Sequence, residues 1–252
     1  MSGRVEPGAV PERVRGEILQ RNPWYVGSQF EWAERPEVRR IYEKRYEFIA
    51  VCIERARARR GAQLRVLDAG CGDGYWLWRL ERLPGLELVG VDYNPVRVQR
   101  ARSVTCRARV VQSDLAWLER CGPFDVILLN QVIEHVPDDE QLLVAAHRAL
   151  DPCGTLILGT PNEGAWLQQL WLRVTGQRAA TDHVHFYTEA EIRGKIHRAG
   201  FRVEAVMREV FFPGSYRIYY WLTARHWGFR LLERLALAFP GQCSDYYFEC
   251  VA

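Results

Sequence analysis

The stretch VLDAGCGDGYW, residues 66–76, decides how this chain reads. An apolar run ends in Asp68, glycines follow at alternate positions (Gly70, Gly72, Gly74), and a helical stretch begins after them. Glycines so spaced allow a tight strand-to-helix turn and let a ligand approach the backbone where a Cβ would clash. The next apolar run, LELVGVD, ends in Asp92, 18 residues beyond Gly74. A carboxylate there can accept hydrogen bonds from two ribose hydroxyls. A tight turn without any ligand is the competing reading, and the acid after the second run counts against it.

Outward from this loop, apolar and amphipathic stretches alternate. Strands are expected at 64–69, 86–92, 108–114, 124–130 and 154–160, with helices near 74–83, 95–103 and 139–149. Alternation of this kind implies βαβ units and a parallel sheet. The strands are continuous apolar runs, as expected where helices cover both faces. Upstream, Pro36 opens a helix that runs to residue 60, preceded by an irregular arm or short helix. Downstream, 161–187 reads as a connector. Thr188 caps a helix that stops at Gly200. Strands follow at 201–207 and 245–252, separated by an aromatic, helical insertion over about 212–240. The organisation is therefore an arm and helical cap over 1–60 and one α/β domain over 61–252, carrying an insertion over about 208–244, in one structural unit.

Composition agrees. At 252 residues, 48% hydrophobic and 26% charged, the chain can form an ordinary α/β core, and collagen, disordered and disulfide-stapled classes are excluded. Seven scattered cysteines without a CxxC pair argue against structural zinc and for a reduced, cytoplasmic chain. The N-terminus has no apolar signal region and no run of 18 apolar residues occurs. All but two of the 34 basic residues are arginine. Genome drift and an arginine-coated nucleic-acid binder are the two readings of that bias. The arginines form no dense run, and mildly basic ends flank an acidic 61–160 segment, which disfavours nucleic acid.

Two cofactor classes use a glycine loop followed by an acid. Dinucleotide binders want G-x-G-x-x-G, with the pyrophosphate at the helix N-terminus. In that frame the third position here is Tyr75, which disfavours an NAD-dependent oxidoreductase. The spacing is instead D-x-G-x-G-x-G. S-adenosylmethionine (SAM) carries a charged amino-acid end, and a carboxylate such as Asp68 suits its ammonium.

On these motifs the chain resembles the class I SAM-dependent methyltransferases. VLDAGCGDG is similar to the family's first motif, and VGVDYN to its second, implying ribose contact at Asp92 and adenine contact at Tyr93. QSDL (112–115) is similar to the motif after the third strand, implying an adenine site at Ser113, Asp114 and Leu115. FDVILLNQVIEHV resembles the fourth-strand motif, placing Asn130 and Gln131 near the methionine portion. The resemblance implies a Rossmann-like sheet of seven strands in the order 3-2-1-4-5-7-6, the last antiparallel. It implies SAM as cofactor and S-adenosylhomocysteine as product.

The acceptor is read from what surrounds the methyl site. The Pro-Pro-aromatic loop of amino-methylating DNA enzymes is absent after strand four. Pro152-Cys153 precedes strand five, where a turn accounts for it. Gln131-x-x-Glu134-His135 resembles the Glu-x-x-Glu-His of ubiquinone-biosynthesis O-methyltransferases, in which two acids and a histidine can hold a divalent ion. Gln131 removes one hard ligand, so a metal is not expected. DHVHFY (182–187) occupies the stretch that lines the acceptor pocket in relatives. Alternation would put His183 and His185 on one side, and either can take a hydroxyl proton. His135 is the third candidate. Each also reads as a structural loop histidine. Tyr216, Tyr219, Tyr220, Trp221, Trp227 and Phe229 of the insertion can wall an apolar or sugar-bearing acceptor, meet a membrane surface, or pack on the domain or a second subunit. Trp24, Tyr25 and Phe30 can form a lid over the cofactor or simply pack.

The expectation is O-methylation of a small molecule, a sugar unit or a lipid-linked intermediate, by a monomer or homodimer. The rivals are an NAD-dependent oxidoreductase, a non-catalytic SAM-binding scaffold and an RNA methyltransferase.

Overall fold

Seven strands form one sheet in the computed structural model, which describes residues 27–61, 63–175 and 183–252. They are β1 (Leu64–Ala69), β2 (Leu86–Asp92), β3 (Arg109–Gln112), β4 (Phe124–Asn130), β5 (Leu150–Pro161), β6 (Arg202–Arg208) and β7 (Asp245–Val251). Their order is β3-β2-β1-β4-β5-β7-β6. β1 to β5 pair in parallel, and β7 runs antiparallel to β5 and β6. This is the expected order.

Alternate residues of the central strands feed two cores. Leu67, Val89, Ile127, Leu129, Leu156 and Leu158 pack on one face with α5 (Asp139–Ala149) and α7 (Glu189–Arg198). Val66, Leu88, Val126, Leu128 and Ile157 pack on the other with α2 (Pro36–Arg60), α3 (Tyr75–Leu80) and α4 (Pro95–Val104). The continuous apolar runs are thus explained by burial on both faces.

α2 starts at Pro36, whose missing N–H costs nothing in a first turn, and buries Ile41, Tyr42, Ile49, Cys52 and Ile53. Several of its arginines are paired with acids across the fold. Arg55 and Arg59 reach the buried Glu249, and Arg60 reaches Asp125. The short α1 (Gln29–Glu34) precedes it, capped by Ser28.

The structure departs from the sequence reading at β5, which starts at Leu150 and so contains Pro152 and Cys153, and at the connector, and it resolves the expected helical insertion. The connector 161–187 contains a helix, α6 (Trp166–Thr175). Its apolar residues recur at helical spacing, but Trp166, Leu170 and Val174 face solvent rather than the core. The insertion is two helices, α8 (Tyr216–Thr223) and α9 (His226–Ala238), and it divides its aromatics between core and surface. Tyr219 and Phe229 are buried with Ile41, Val210 and Phe212, whereas Trp221 and Trp227 are exposed. Among the described residues no helix is long and apolar enough to cross a membrane.

Candidate active site

The glycine loop joins β1 to α3 at the carboxyl edge of the sheet, where ligands bind in open α/β folds. Gly70, Gly72 and Gly74 all have positive φ. At Gly70 the need is also steric, because a Cβ would lie 2.4 Å from a methyl of Val132, in the loop after β4. The two loops are thus in contact through the missing side chain.

Asp68 is buried at the end of β1, and neither carboxylate oxygen has a hydrogen-bond partner among the described residues. Burial, aided by the charge of nearby Asp92, pushes its pKa up to about 8. Asp92 is differently supplied. Its Oδ2 accepts the Gly72 N–H at 2.9 Å and its Oδ1 accepts the Asn94 N–H at 2.8 Å. Burial still raises its pKa, against those two bonds. A carboxylate offers about four lone-pair directions, so positions remain for ribose hydroxyls. Asp73, which the sequence reading passed over, is buried and accepts the Gln29 N–H at 2.8 Å, tying α1 to the glycine loop. Phe30 packs edge-on against Tyr75 and Trp78. Trp24 and Tyr25 lie outside the described residues.

Tyr93 is half-buried directly after Asp92, Ser113 is buried with its N–H on the Asp92 carbonyl, Leu115 is half-buried, and Asp114 is exposed. At the end of β4, Asn130 Oδ1 accepts the Tyr247 hydroxyl. Gln131 has φ 56, a conformation uncommon outside glycine, and its side-chain amide donates to Asp245 at 3.1 Å. Gln131 therefore points toward β7.

The acceptor side is built from remote segments. Val184 and His185 donate their N–H groups to the Glu134 carbonyl, laying 183–187 along the loop after β4. Tyr187 is buried and donates to Asp139, which Lys195 also reaches. The two histidines then part, contrary to the one-sided expectation. His185 Nε2 lies 3.1 Å from each of the Val136 and Pro137 carbonyls, which fixes it as a donor there. His183 Nδ1 meets Glu163 Oε2 at 2.8 Å, and its ring lies edge-on to His135 at 4.6 Å. Glu134, His135 and His183 each offer a ligand atom within 4.8 Å of one another. Glu134 is fully buried, with its pKa raised by that burial. Its Oε2 accepts from Thr160, while Oε1 has no partner among the described residues. Asp182 lies outside those residues.

A second buried network joins the cap to this side. Arg45 of α2 donates to Glu209 and pairs with Asp245 at 3.1 Å, and Ser244 donates to Glu209 at 2.8 Å. Arg45 holds the Glu209 carboxyl below its ordinary range, while burial and the Glu209 charge push Asp245 well up. Neither this network nor the Glu163–His183 contact carries a local sequence signal.

The profile of the family described as "Methyltransferase domain" matches residues 41–206. The chain is 32% identical over 184 residues to the ubiquinone biosynthesis O-methyltransferase of Xanthomonas axonopodis pv. citri (strain 306), covering 67% of this chain and 73% of that one. The protein belongs to the class I SAM-dependent methyltransferases. The fold of this methyltransferase is shared with solved structures of low sequence identity. The magnesium protoporphyrin IX methyltransferase from Synechocystis PCC 6803 covers 95% of the chain and 98% of its own at TM-score 0.63 and 16% identity. The plantazolicin methyltransferase covers 95% and 96% at TM-score 0.59 and 15% identity.

SAM is the cofactor of this methyltransferase, and the residues present suit it. The Asp68 oxygens, without partners among the described residues, offer a counter-charge for an ammonium, and Gly70, lacking a Cβ, lets the glycine loop close against Val132 of the loop after β4.

Proposed function

We propose that this methyltransferase transfers the SAM methyl to a hydroxyl oxygen of a small molecule, with His183 as general base. The contact of His183 Nδ1 with Glu163 Oε2 at 2.8 Å carries the reading. With Nδ1–H donated to a carboxylate, the lone pair lies on Nε2, the nitrogen that would take the proton. The hydroxyl oxygen attacks the methyl carbon, the methyl–sulfur bond breaks, S-adenosylhomocysteine leaves, and the acceptor proton passes to His183 Nε2. Glu163 stabilises the imidazolium so formed. The relatives named ubiquinone biosynthesis O-methyltransferases support oxygen as the acceptor atom. Sugar-bearing and lipid-linked acceptors remain within this class.

Production of S-adenosylhomocysteine with phenolic and sugar hydroxyl acceptors, but not with matched amines, is the expected result; turnover with amines alone would overturn it. In Glu163→Gln, kcat should fall and its pH dependence should shift, with KM for SAM unchanged.

One observation favours a second reading, the unpartnered buried Glu134 Oε1. Glu134, His135 and His183 would then hold a divalent ion that lowers the pKa of an acceptor hydroxyl. One carboxylate and two imidazoles suit zinc or another transition ion better than magnesium, and Glu163 would orient His183 from behind. Metal analysis of the purified protein, with and without chelator, separates the readings. Stoichiometric metal that is lost in Glu134→Gln selects the second, and metal-free turnover selects the first.

A further inference from the structure

The α8–α9 hairpin presents two chemically distinct sides. Its inner side is core, with Tyr219, Phe229 and Leu232 packed on Ile41, Val210 and Phe212. Its outer side should then be polar, as on an ordinary surface helix. It is not. The exposed positions of α8 are Tyr216, Arg217, Ile218 and Trp221, with Arg225 just beyond. Along α9 the outward residues at helical spacing are Trp227, Arg230, Leu231, Arg234 and Leu237. Trp221 and Trp227 lie 5.6 Å apart, yet each remains more than half exposed, and Leu237 is 85% exposed. The Arg225 guanidinium stacks over Trp221 at 4.2 Å. The single acid of the stretch 212–240, Glu233, is half-buried and turns to Lys44 of α2 at 2.9 Å, with Arg230 reaching it at 3.4 Å. Every other charge on the outer side is an arginine.

Tryptophan, leucine and isoleucine interleaved with arginine, and no outward acid, form the composition of a helix face lying in a bilayer interface. There the rings and aliphatic chains enter the acyl boundary, while guanidinium groups stay level with anionic head groups. The charge pattern disfavours the other occupants. Pairing with a second copy would set four arginines against their own equivalents. A nucleic-acid backbone would use the arginines but leave Ile218, Leu231 and Leu237 exposed.

We propose that the outer face of the α8–α9 hairpin docks this methyltransferase onto an anionic lipid bilayer. The inference does not depend on which acceptor is methylated or on which group takes the proton.

Co-flotation of the full chain with vesicles tests it, using phosphatidylcholine alone and phosphatidylcholine mixed with phosphatidylglycerol. Binding to the mixed vesicles, weakened by salt and accompanied by a blue shift of tryptophan emission, is the expected result. The double variant Trp221→Ser/Trp227→Ser should lose roughly tenfold or more in vesicle affinity. Arg230→Gln and Arg234→Gln should each lose about fivefold on the mixed vesicles only. All variants should bind SAM as the parent does by calorimetry, which controls for folding. Absence of binding to either vesicle would overturn the proposal. So would equal binding by the double variant, or a dimer or RNA complex that the double variant abolishes while vesicles leave the parent in solution.

Discussion

The two ends of the site are built by opposite means. The ribose and ammonium part of the cofactor end comes from one unbroken run, Asp68 to Asn94, and much of its bonding is backbone N–H to carboxylate, as at Gly72 and Asn94 on Asp92. The proposed acceptor end is assembled from α2, the loop after β4, the 183–187 segment and the β6–β7 edge. Its bonding is largely side chain to side chain, as in Glu163–His183 and Arg45–Glu209. A ligand shared by a whole family can be served by a local device. An acceptor that differs between members is met by residues that only the tertiary fold brings together.

This contrast can be broken by substitution, and the largest effect is expected at the acceptor end. His183→Gln should lower kcat by roughly 10²- to 10⁴-fold with SAM affinity unchanged; a matching loss of SAM affinity in calorimetry would mean that the two ends are not separable. Next comes Arg45→Met, which leaves Glu209 buried without its cation. Denaturant unfolding should show a loss of about 3–5 kcal/mol, and adding Glu209→Gln should restore much of it. At the cofactor end, Asp92→Asn removes the charge that strengthens each bond to that carboxylate. SAM binding should weaken by about 1.5–3 kcal/mol by calorimetry, and because Asn can accept from only one of the Gly72 and Asn94 N–H groups, the melting temperature of the apo protein should fall as well.

A further effect is a pH dependence. The Asp68 carboxyl is raised in the folded protein, so its contribution to stability is full below the ordinary carboxylate range and is lost as pH rises through about 8. The melting temperature of the apo protein should therefore fall toward pH 8 more steeply than that of Asp68→Asn. SAM, whose ammonium favours the charged carboxylate, should flatten the difference.

What could be read from the sequence follows the same division. The strands from Leu64 to Pro161 were legible because burial on both faces leaves mainly apolar residues in their central positions. The glycine loop and Asp92 were legible because their spacing is local. α6 was missed although its apolar residues recur at helical spacing, and what only the fold shows is that this side faces outward. The sequence drew attention to His183 and His185 together. It could not separate them, because the partners that do so, Glu163 for one and the Val136 and Pro137 carbonyls for the other, lie 20 or more residues away. Arg45 was hidden among arginines of equal appearance, and only the fold shows that it meets Glu209 and Asp245.

The direction of β7 has a practical side. Because it runs against β5, Asp245 lies opposite Pro161 at the edge that carries the site, and Val251 lies opposite Thr155 at the far edge. Any polypeptide continuing past Val251, or any surface anchor attached there, departs from the rear of the sheet. Immobilising the enzyme through that point would leave the glycine loop and the histidine cluster facing the medium, a convenient geometry for sensor chips and single-molecule tethers.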